Sequence, residues 1–408
     1  MLHALEPVWH GLKSAGVRRL LLFATLFLAS SQPLSGQTTF TFRGYVKMDA
    51  MWTNFHNGFV PETSPLRDFH VPVLIPVGDA IDRFVTNDFN ARESRFSFET
   101  RTEVGAKVLR AYLEIDFLLS GQGDERVSNS FNPRLRQVYF EYDRWLLGQA
   151  WTTFQILNLP EDVDFIGVPD GTIFIRQPQV RFSPGNWEFA LENSKTTLLP
   201  TDGGVRLVSP GSFVPDLVAR YNFVGDWGYF SVAGLLRRLD HEYIEDGDRK
   251  QTNVPGFGAT VGGLLRVGAH DDIRVQASAG RGLGRYAALN FVTGASVRPD
   301  DGIEAIPSLL GFLGYRHHWS RRLRSNLNLA GIAADPNATF TGGASDRYAY
   351  SVSANLIYSP IPDLSFGAEI IRAYRELEDG TNGKMTRLQF AGRYNFSFTA
   401  RSEEEEDD

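Results

Sequence analysis

The feature that most limits what this chain can become is an alternation of apolar and polar residues with period two, repeated from about residue 40 almost to the end. Successive side chains of an extended strand point to opposite faces, so this pattern describes strands with one dry face and one wet face. Phe96, Phe98, Thr100 and Thr102 alternate with Arg95, Ser97, Glu99 and Arg101. Leu109, Ala111, Leu113, Ile115 and Phe117 alternate with Arg110, Tyr112, Glu114 and Asp116. Further on, Ile273, Val275, Ala277 and Ala279 alternate with Arg274, Gln276, Ser278 and Gly280, and Leu388, Phe390, Tyr394 and Phe396 with Arg387, Gln389, Ala391 and Arg393.

Such strands fit a soluble sandwich, or a transmembrane barrel whose apolar face meets lipid and whose polar face lines a wet lumen. Charges at successive positions deep inside the strands, in a chain of 408 residues, favour the barrel. After Gly36 no apolar run approaches the about 20 residues that a spanning helix needs. Only helices and closed barrels satisfy every backbone group in lipid, which leaves the barrel as the way such a chain enters a membrane. Sixteen candidate strands lie near residues 40–54, 92–103, 106–118, 133–142, 144–152, 176–183, 187–193, 213–224, 227–237, 255–267, 272–281, 308–319, 322–333, 346–359, 363–374 and 384–398. The number is even, as bacterial single-chain barrels require. The expected fold is an all-β, transmembrane antiparallel β-barrel of about sixteen strands with an inward-folded constriction loop.

Connections alternate in length, a second mark of outer-membrane barrels. Val104-Gly105, Asp143-Arg144, Gly225-Asp226, Ala269-His270 and Pro360-Ile361 make tight turns, expected on the periplasmic side. The stretches 55–91, 119–132, 153–175, 194–212, 238–254, 282–307, 334–345 and 375–383 are long, and are expected outside the cell or folded inward. Phe40, Phe42, Trp52, Trp145, Trp187, Tyr221, Phe223, Trp227, Tyr229, Trp319, Tyr358, Tyr394, Phe396 and Phe398 gather near strand ends, where rings with one polar edge suit the headgroup level.

The N-terminus supplies the route. Arg18 and Arg19 precede the apolar run Leu20 to Ala29, followed by Ser30, Ser31, Pro33, Ser35 and Gly36. A basic flank, a short apolar core and a small-residue exit describe a secretory signal peptide, with cleavage expected after Gly36 or near Ser31. Residues 1–36 are the signal, 37–398 the barrel and 399–408 an acidic disordered tail. The formal charge of −7 divides accordingly: the signal carries +2, the mature chain −9, and Glu403 to Asp408 −6 of that, leaving −3 on the body. The absence of cysteine excludes disulfides and thiolate metal sites.

No enzyme constellation stands out. His56, His70, His241, His270, His317 and His318 fall in no ligand spacing, and His317 and His318 point to opposite faces of a strand. No catalytic residue, metal, cofactor or nucleic-acid partner is expected. Arginine is what accumulates on the wet faces. Arg43, Lys47, Arg95, Arg101, Arg110, Arg134, Arg136, Arg176, Arg274, Arg322, Arg324, Arg387 and Arg393 are lumen-side candidates, and Glu99, Glu114, Asp116, Glu141 and Glu369 could pair with them. Guanidiniums around a narrow pore replace part of an anion's hydration and so select anions. The stretch from Thr153 to Ile175 is the expected constriction loop. Its Glu161, Asp162, Asp164 and Asp170 would face the arginines across the lumen.

The run Pro133-Arg134-Leu135-Arg136-Gln137-Val138-Tyr139-Phe140-Glu141-Tyr142, followed by Leu147-Gly148-Gln149-Ala150-Trp151-Thr152-Thr153-Phe154, resembles the DcaP-type family of trimeric outer-membrane porins. Phe42-Arg43-Gly44-Tyr45-Val46-Lys47-Met48-Asp49 and Arg92-Glu93-Ser94-Arg95-Phe96-Ser97-Phe98 look like its first strands. The resemblance is clearest over residues 40–193. It implies a homotrimer in outer-membrane lipid that takes up small anionic solutes such as dicarboxylates, with Arg43, Arg95, Arg134 and Arg136 facing the solute. Other readings of the same barrel are a general, phosphate- or sugar-type porin, or a barrel enzyme such as a lipase. An exported soluble β-protein is a third class.

Overall fold

The computed structural model describes residues 36–79, 83–119, 129–201, 203–209 and 213–402. The signal segment up to residue 35 and the acidic run from Glu403 to Asp408 lie outside the described residues.

Sixteen staves close into one antiparallel barrel. They are β1 (Thr38–Phe55), β2 in two lengths (Phe84–Asn90 and Arg95–Val104), β3 (Lys107–Asp116), β4 (Arg134–Tyr142), β5 (Trp145–Trp151), β6 (Arg176–Phe182), β7 (Trp187–Glu192) and β8 (Asp216–Gly225). Then come β9 (Gly228–Glu245), β10 (Asp248–Val267), β11 (Asp271–Arg281), β12 (Pro307–His318), β13 (Leu323–Ala334), β14 (Asp346–Ile361), β15 (Leu364–Leu377) and β16 (Asn382–Arg401). Each stave pairs with its neighbours in the chain, and β16 closes on β1 from Thr39 opposite Arg401 to Phe55 opposite Met385. Closure leaves no strand edge unpaired, which is what lipid demands of a sheet.

The two faces follow the alternation. On β1, Phe40, Val46, Met48 and Trp52 point outward and are exposed, while Tyr45, Lys47, Asp49 and Thr53 point inward and are buried. Exposed apolar side chains continue around the wall through Phe98, Val138, Trp187, Leu217, Leu313, Leu356 and Phe390. A water-soluble fold would bury such a band; in a bilayer it is the dry side. An outward charge near the midplane, such as Met48→Arg, would cost about 2–4 kcal/mol. A groove of about 930 Å³ is cut into this outer face, where Ala219, Gly234, Ala259 and Ala279 stand side by side on β8 to β11. It lies on the outside of the barrel and takes no part in the lumen.

Five differences from the sequence reading have local causes. Phe84–Asn90, read as loop, pairs with Asp49 to Phe55, and a turn at residues 91–94 interrupts the stave and swings Glu93 inward to Lys47. Much of 238–254, also read as loop, extends β9 and β10 as a hairpin turning at Asp246-Gly247. Its alternation fades because both faces there carry polar residues. β16 runs to Arg401, three residues past the expected boundary, because β1 starts early enough to pair with it. Arg322 sits in the turn before β13, and the ring of Tyr229 points inward, where its hydroxyl donates to the Leu157 carbonyl at 2.7 Å.

Loops fill much of the lumen. Leu66, Phe69 and Ile75, from the segment after β1, pack with Phe55, Leu118, Ile371 and Met385 on the inner wall. Phe154 and Ile173 pack with Leu283, Tyr286 and Phe291 of the segment after β11. Ile173 and Ala287 form a β-bridge, so two loops that leave the wall far apart meet inside it.

Candidate functional site

The inner faces of β1 to β6 carry a column of cations. Nearest the short turns, Glu99 is the common partner of Arg43 at 3.5 Å, Arg101 at 2.7 Å and Arg110 at 2.8 Å, and Arg110 also reaches Glu141 at 2.7 Å. Arg43 and Arg101 remain about half exposed. Further in, Arg134 grips Asp116 with two N–H groups at 2.8 and 2.7 Å. Arg136, almost fully buried, donates to Glu114 at 2.5 Å and to Asp116 at 2.7 Å. Two arginines beside them differ. Arg95 and Arg176 make no ion pair among the described residues, and the Nε of Arg95 and Nη1 of Arg176 are buried without a hydrogen-bond partner.

An aromatic side chain from the inward loop sits among these groups. The Phe165 ring centroid lies 5.3 Å from the guanidinium carbon of Arg136, 5.7 Å from that of Arg95 and 5.9 Å from that of Arg134. Arg176 lies over Trp151 at 4.8 Å and near Phe174 at 5.9 Å. Aromatic faces favour a cation without neutralising it, so they hold the guanidiniums in place and leave their charge available. Around Phe165 and Trp151, four arginines (95, 134, 136, 176) meet two carboxylates (Glu114 and Asp116), a local excess of two positive charges.

The loop from Thr153 to Ile175 does fold inward, but its acids do not lie opposite this column. Glu161 is gripped by Arg324 of β13 at 2.5 and 2.6 Å, with Arg316 of β12 at 3.7 Å. Asp164 accepts from the His70 backbone N–H at 2.9 Å and stands 4.0 Å from Arg387 of β16. Asp170 holds the His70 ring at 3.1 Å and accepts from Ser351 of β14. The backbone N–H groups of Val163 and Asp164 donate to Glu369 of β15 at 3.3 and 3.2 Å. Lys47 completes the seat, donating to the Val163 carbonyl at 2.6 Å while pairing with Glu93 and Asp49. Three of the loop's four carboxylates are thus anchors to the far wall or to the neighbouring loop. The physical reason is burial: a carboxylate taken from water needs charged or N–H donors at once, and the nearest are on the wall it touches.

Two loop carboxylates feel this setting in opposite directions. Burial would raise Glu161, but the Arg324 guanidinium, helped by Arg316 and Arg274, holds it below the ordinary carboxylate value. Asp162 has no such partner. Burial, with Glu369 and Glu93 nearby, pushes it well above the usual range.

Every arginine and lysine named from the sequence as pore-lining faces inward except Arg322. Lys47, Arg134 and Arg136 are engaged in buried pairs; Arg95 and Arg176 are not. Phe165, Glu93, Tyr45 and His70 were missed. An aromatic residue within an acidic loop, and a Glu next to a strand start, carry no distinctive spacing.

The family described as DcaP outer membrane protein matches residues 29–396 of this chain. No curated protein matches it. Among solved structures, the outer membrane channel DcaP of Acinetobacter baumannii aligns with a TM-score of 0.70 at 21% identity, covering 88% of this chain and 97% of that one. The anion-selective porin from Comamonas acidovorans aligns with a TM-score of 0.51 at 11% identity, covering 88% and 100%. The trimer form of OmpT of Vibrio cholerae aligns with a TM-score of 0.51 at 10% identity, covering 88% and 99%. At these identities the likeness is one of fold.

Proposed function

The chain belongs to the DcaP family of outer membrane proteins, and from that premise we propose that it is a passive, anion-preferring channel for small negatively charged solutes such as dicarboxylates. Its membrane is the outer membrane and its architecture that of a porin. The N-terminal segment is the cleaved export signal, and the working form is a homotrimer, as the name of the OmpT relative says of that protein.

One observation carries the selectivity. Arg95 and Arg176 face inward and make no ion pair among the described residues, on either side of the Arg134 and Arg136 pairs. A buried guanidinium without a counter-ion is costly, and a carboxylate passing the site supplies what it lacks in a two-pronged contact. A cation meets the local excess of positive charge and gains nothing.

The test is a reversal potential across a salt gradient in planar bilayers. The protein should favour anions, and Arg95→Gln with Arg176→Gln should abolish most of that preference while the barrel still folds. Cation preference in the unaltered protein would defeat the proposal; an unchanged reversal potential in the double variant would clear those two residues of the role. Arg134→Ala with Arg136→Ala is a poorer probe, because it strips Asp116 and Glu114 of their partners.

A further inference from the structure

On the loop side of the barrel, five parts of the chain meet around a partly enclosed cavity of about 230 Å³. They are Val73, Leu199 with Gly203, Gly204 and Arg206, the pair Val292 and Thr293, the run Ala344 to Asp346 leading into β14, and Arg375 near the end of β15. Arg206 and Arg375 reach the Asp346 carboxylate from two sides, at 2.8 and 2.7 Å. Arg206 also donates to the carbonyls of Asn290 and Phe291, and Arg375 to that of Ile75 at 2.8 Å. After these bonds the Nε of Arg206 and the Nη2 of Arg375 have no hydrogen-bond partner among the described residues.

Among the described residues, two positive charges therefore flank the cavity against one negative, with one nitrogen left without a partner on each cation. A salt-bridge clasp alone would need no empty space. Here there is room for several waters at about 30 Å³ each. Gly204 lines the same space with φ +110, and a side chain there would meet nothing within 4 Å, so the backbone leaves the volume open. The cavity is lined by different segments from the arginine wall of β2 to β6.

We propose that this cavity is a second anion site, which captures a small carboxylate on the loop side before it reaches the arginine wall. The carboxylate bridges the free N–H groups of Arg206 and Arg375, and Asp346 competes with it for both cations. The proposal rests on the anion-channel reading but fails separately from it.

Succinate is the probe, added on the loop side of the protein in planar bilayers, with interruption of the ion current as the readout. Arg206→Gln with Arg375→Gln should weaken the apparent succinate affinity about tenfold, the worth of one or two charge-assisted hydrogen bonds. It should leave the reversal potential as it was. Asp346→Asn should act in the opposite direction and strengthen succinate several-fold. Arg206→Lys with Arg375→Lys keeps the charge and should fall between the unaltered protein and the Gln variant, which also covers poor folding of the latter. Equal succinate effects in the unaltered protein and the Gln variant overturn the proposal. So does a loss of affinity in Asp346→Asn as large as that in the Gln variant, since the trio is then only a clasp. Loss of anion preference together with succinate binding in the Gln variant overturns the separation of the two sites. If the unaltered protein has no anion preference yet loses succinate interruption in the Gln variant, the capture site stands and the channel reading falls.

Discussion

The two halves of the lumen wall use charge differently. Around Phe165 and Trp151 on β2 to β6, four arginines stand against two carboxylates, and two of the four have no ion pair among the described residues. On β12 to β16 charged and polar groups hold the inward loop: Arg324 and Arg316 hold Glu161, Ser351 holds Asp170, and Glu369 accepts from two backbone N–H groups. One wall therefore leaves two guanidiniums without an ion pair among the described residues, while the other uses its charge to hold the inward loop. A count of arginines cannot tell the walls apart; their partners can.

The largest effect should come from removing a paired arginine on the first wall. Arg136→Ala leaves Glu114 partly and Asp116 half uncompensated in a buried place, and breaking such a pair costs about 3–5 kcal/mol. Heat or urea unfolding in detergent micelles should show it. Arg95→Gln and Arg176→Gln, which break no ion pair, should leave the midpoint nearly where it was. Equal losses in both would erase the contrast between engaged and available arginines.

Next in size is the loop anchor. Glu161→Gln removes a two-pronged ion pair that is about 70% buried on the acid's side, worth about 1 kcal/mol. The loop should loosen, giving a larger and noisier single-channel conductance with little change in selectivity. A conductance identical to the unaltered protein would show that the other anchors suffice.

The pH dependence of that anchor has a definite sign. Glu161 is held below its ordinary value, so its contribution is fully present above the unfolded carboxylate value, about 4.3, and is lost as pH falls through the lower folded one. The difference in channel noise between the unaltered protein and Glu161→Gln should stay constant from pH 8 to about 5 and shrink only in stronger acid. Onset near pH 6 would contradict the Arg324 pairing.

Asp162 should give the smallest effect, in the opposite sense. Its folded value is raised, so the loop seat weakens as pH rises from the unfolded value through the folded one, where the buried carboxyl loses its proton. Asp162→Asn removes that loss. The variant should be slightly quieter than the unaltered channel at alkaline pH and indistinguishable from it in acid.

Residue by residue, the barrel was legible and the pairing was not. Arg95, Ser97, Glu99 and Arg101 share a face simply because strands alternate, and the wall places them inward. The failures cluster where alternation carries no message. The β9–β10 hairpin extends through polar sequence, and Phe84–Asn90 is separated from its stave by a turn. In the site, the loop between Thr153 and Ile175 was recognisable by length and composition. Its acids were expected to face the arginines across the lumen; Glu161 meets Arg324 and Arg316, while on β2 to β6 Phe165 takes that place.

The sequence by itself determined a closed barrel of sixteen strands and the alternation that turns one face of each strand inward. Both follow from a period of two, a local property that every few residues restate. Only the tertiary structure decided which arginines remain available, because that depends on partners brought together from distant parts of the chain. Glu161 reaches Arg324 across 163 positions and Asp170 meets Ser351 across 181. A buried charge takes the nearest donor in space, and distance along the chain says nothing about which donor that is.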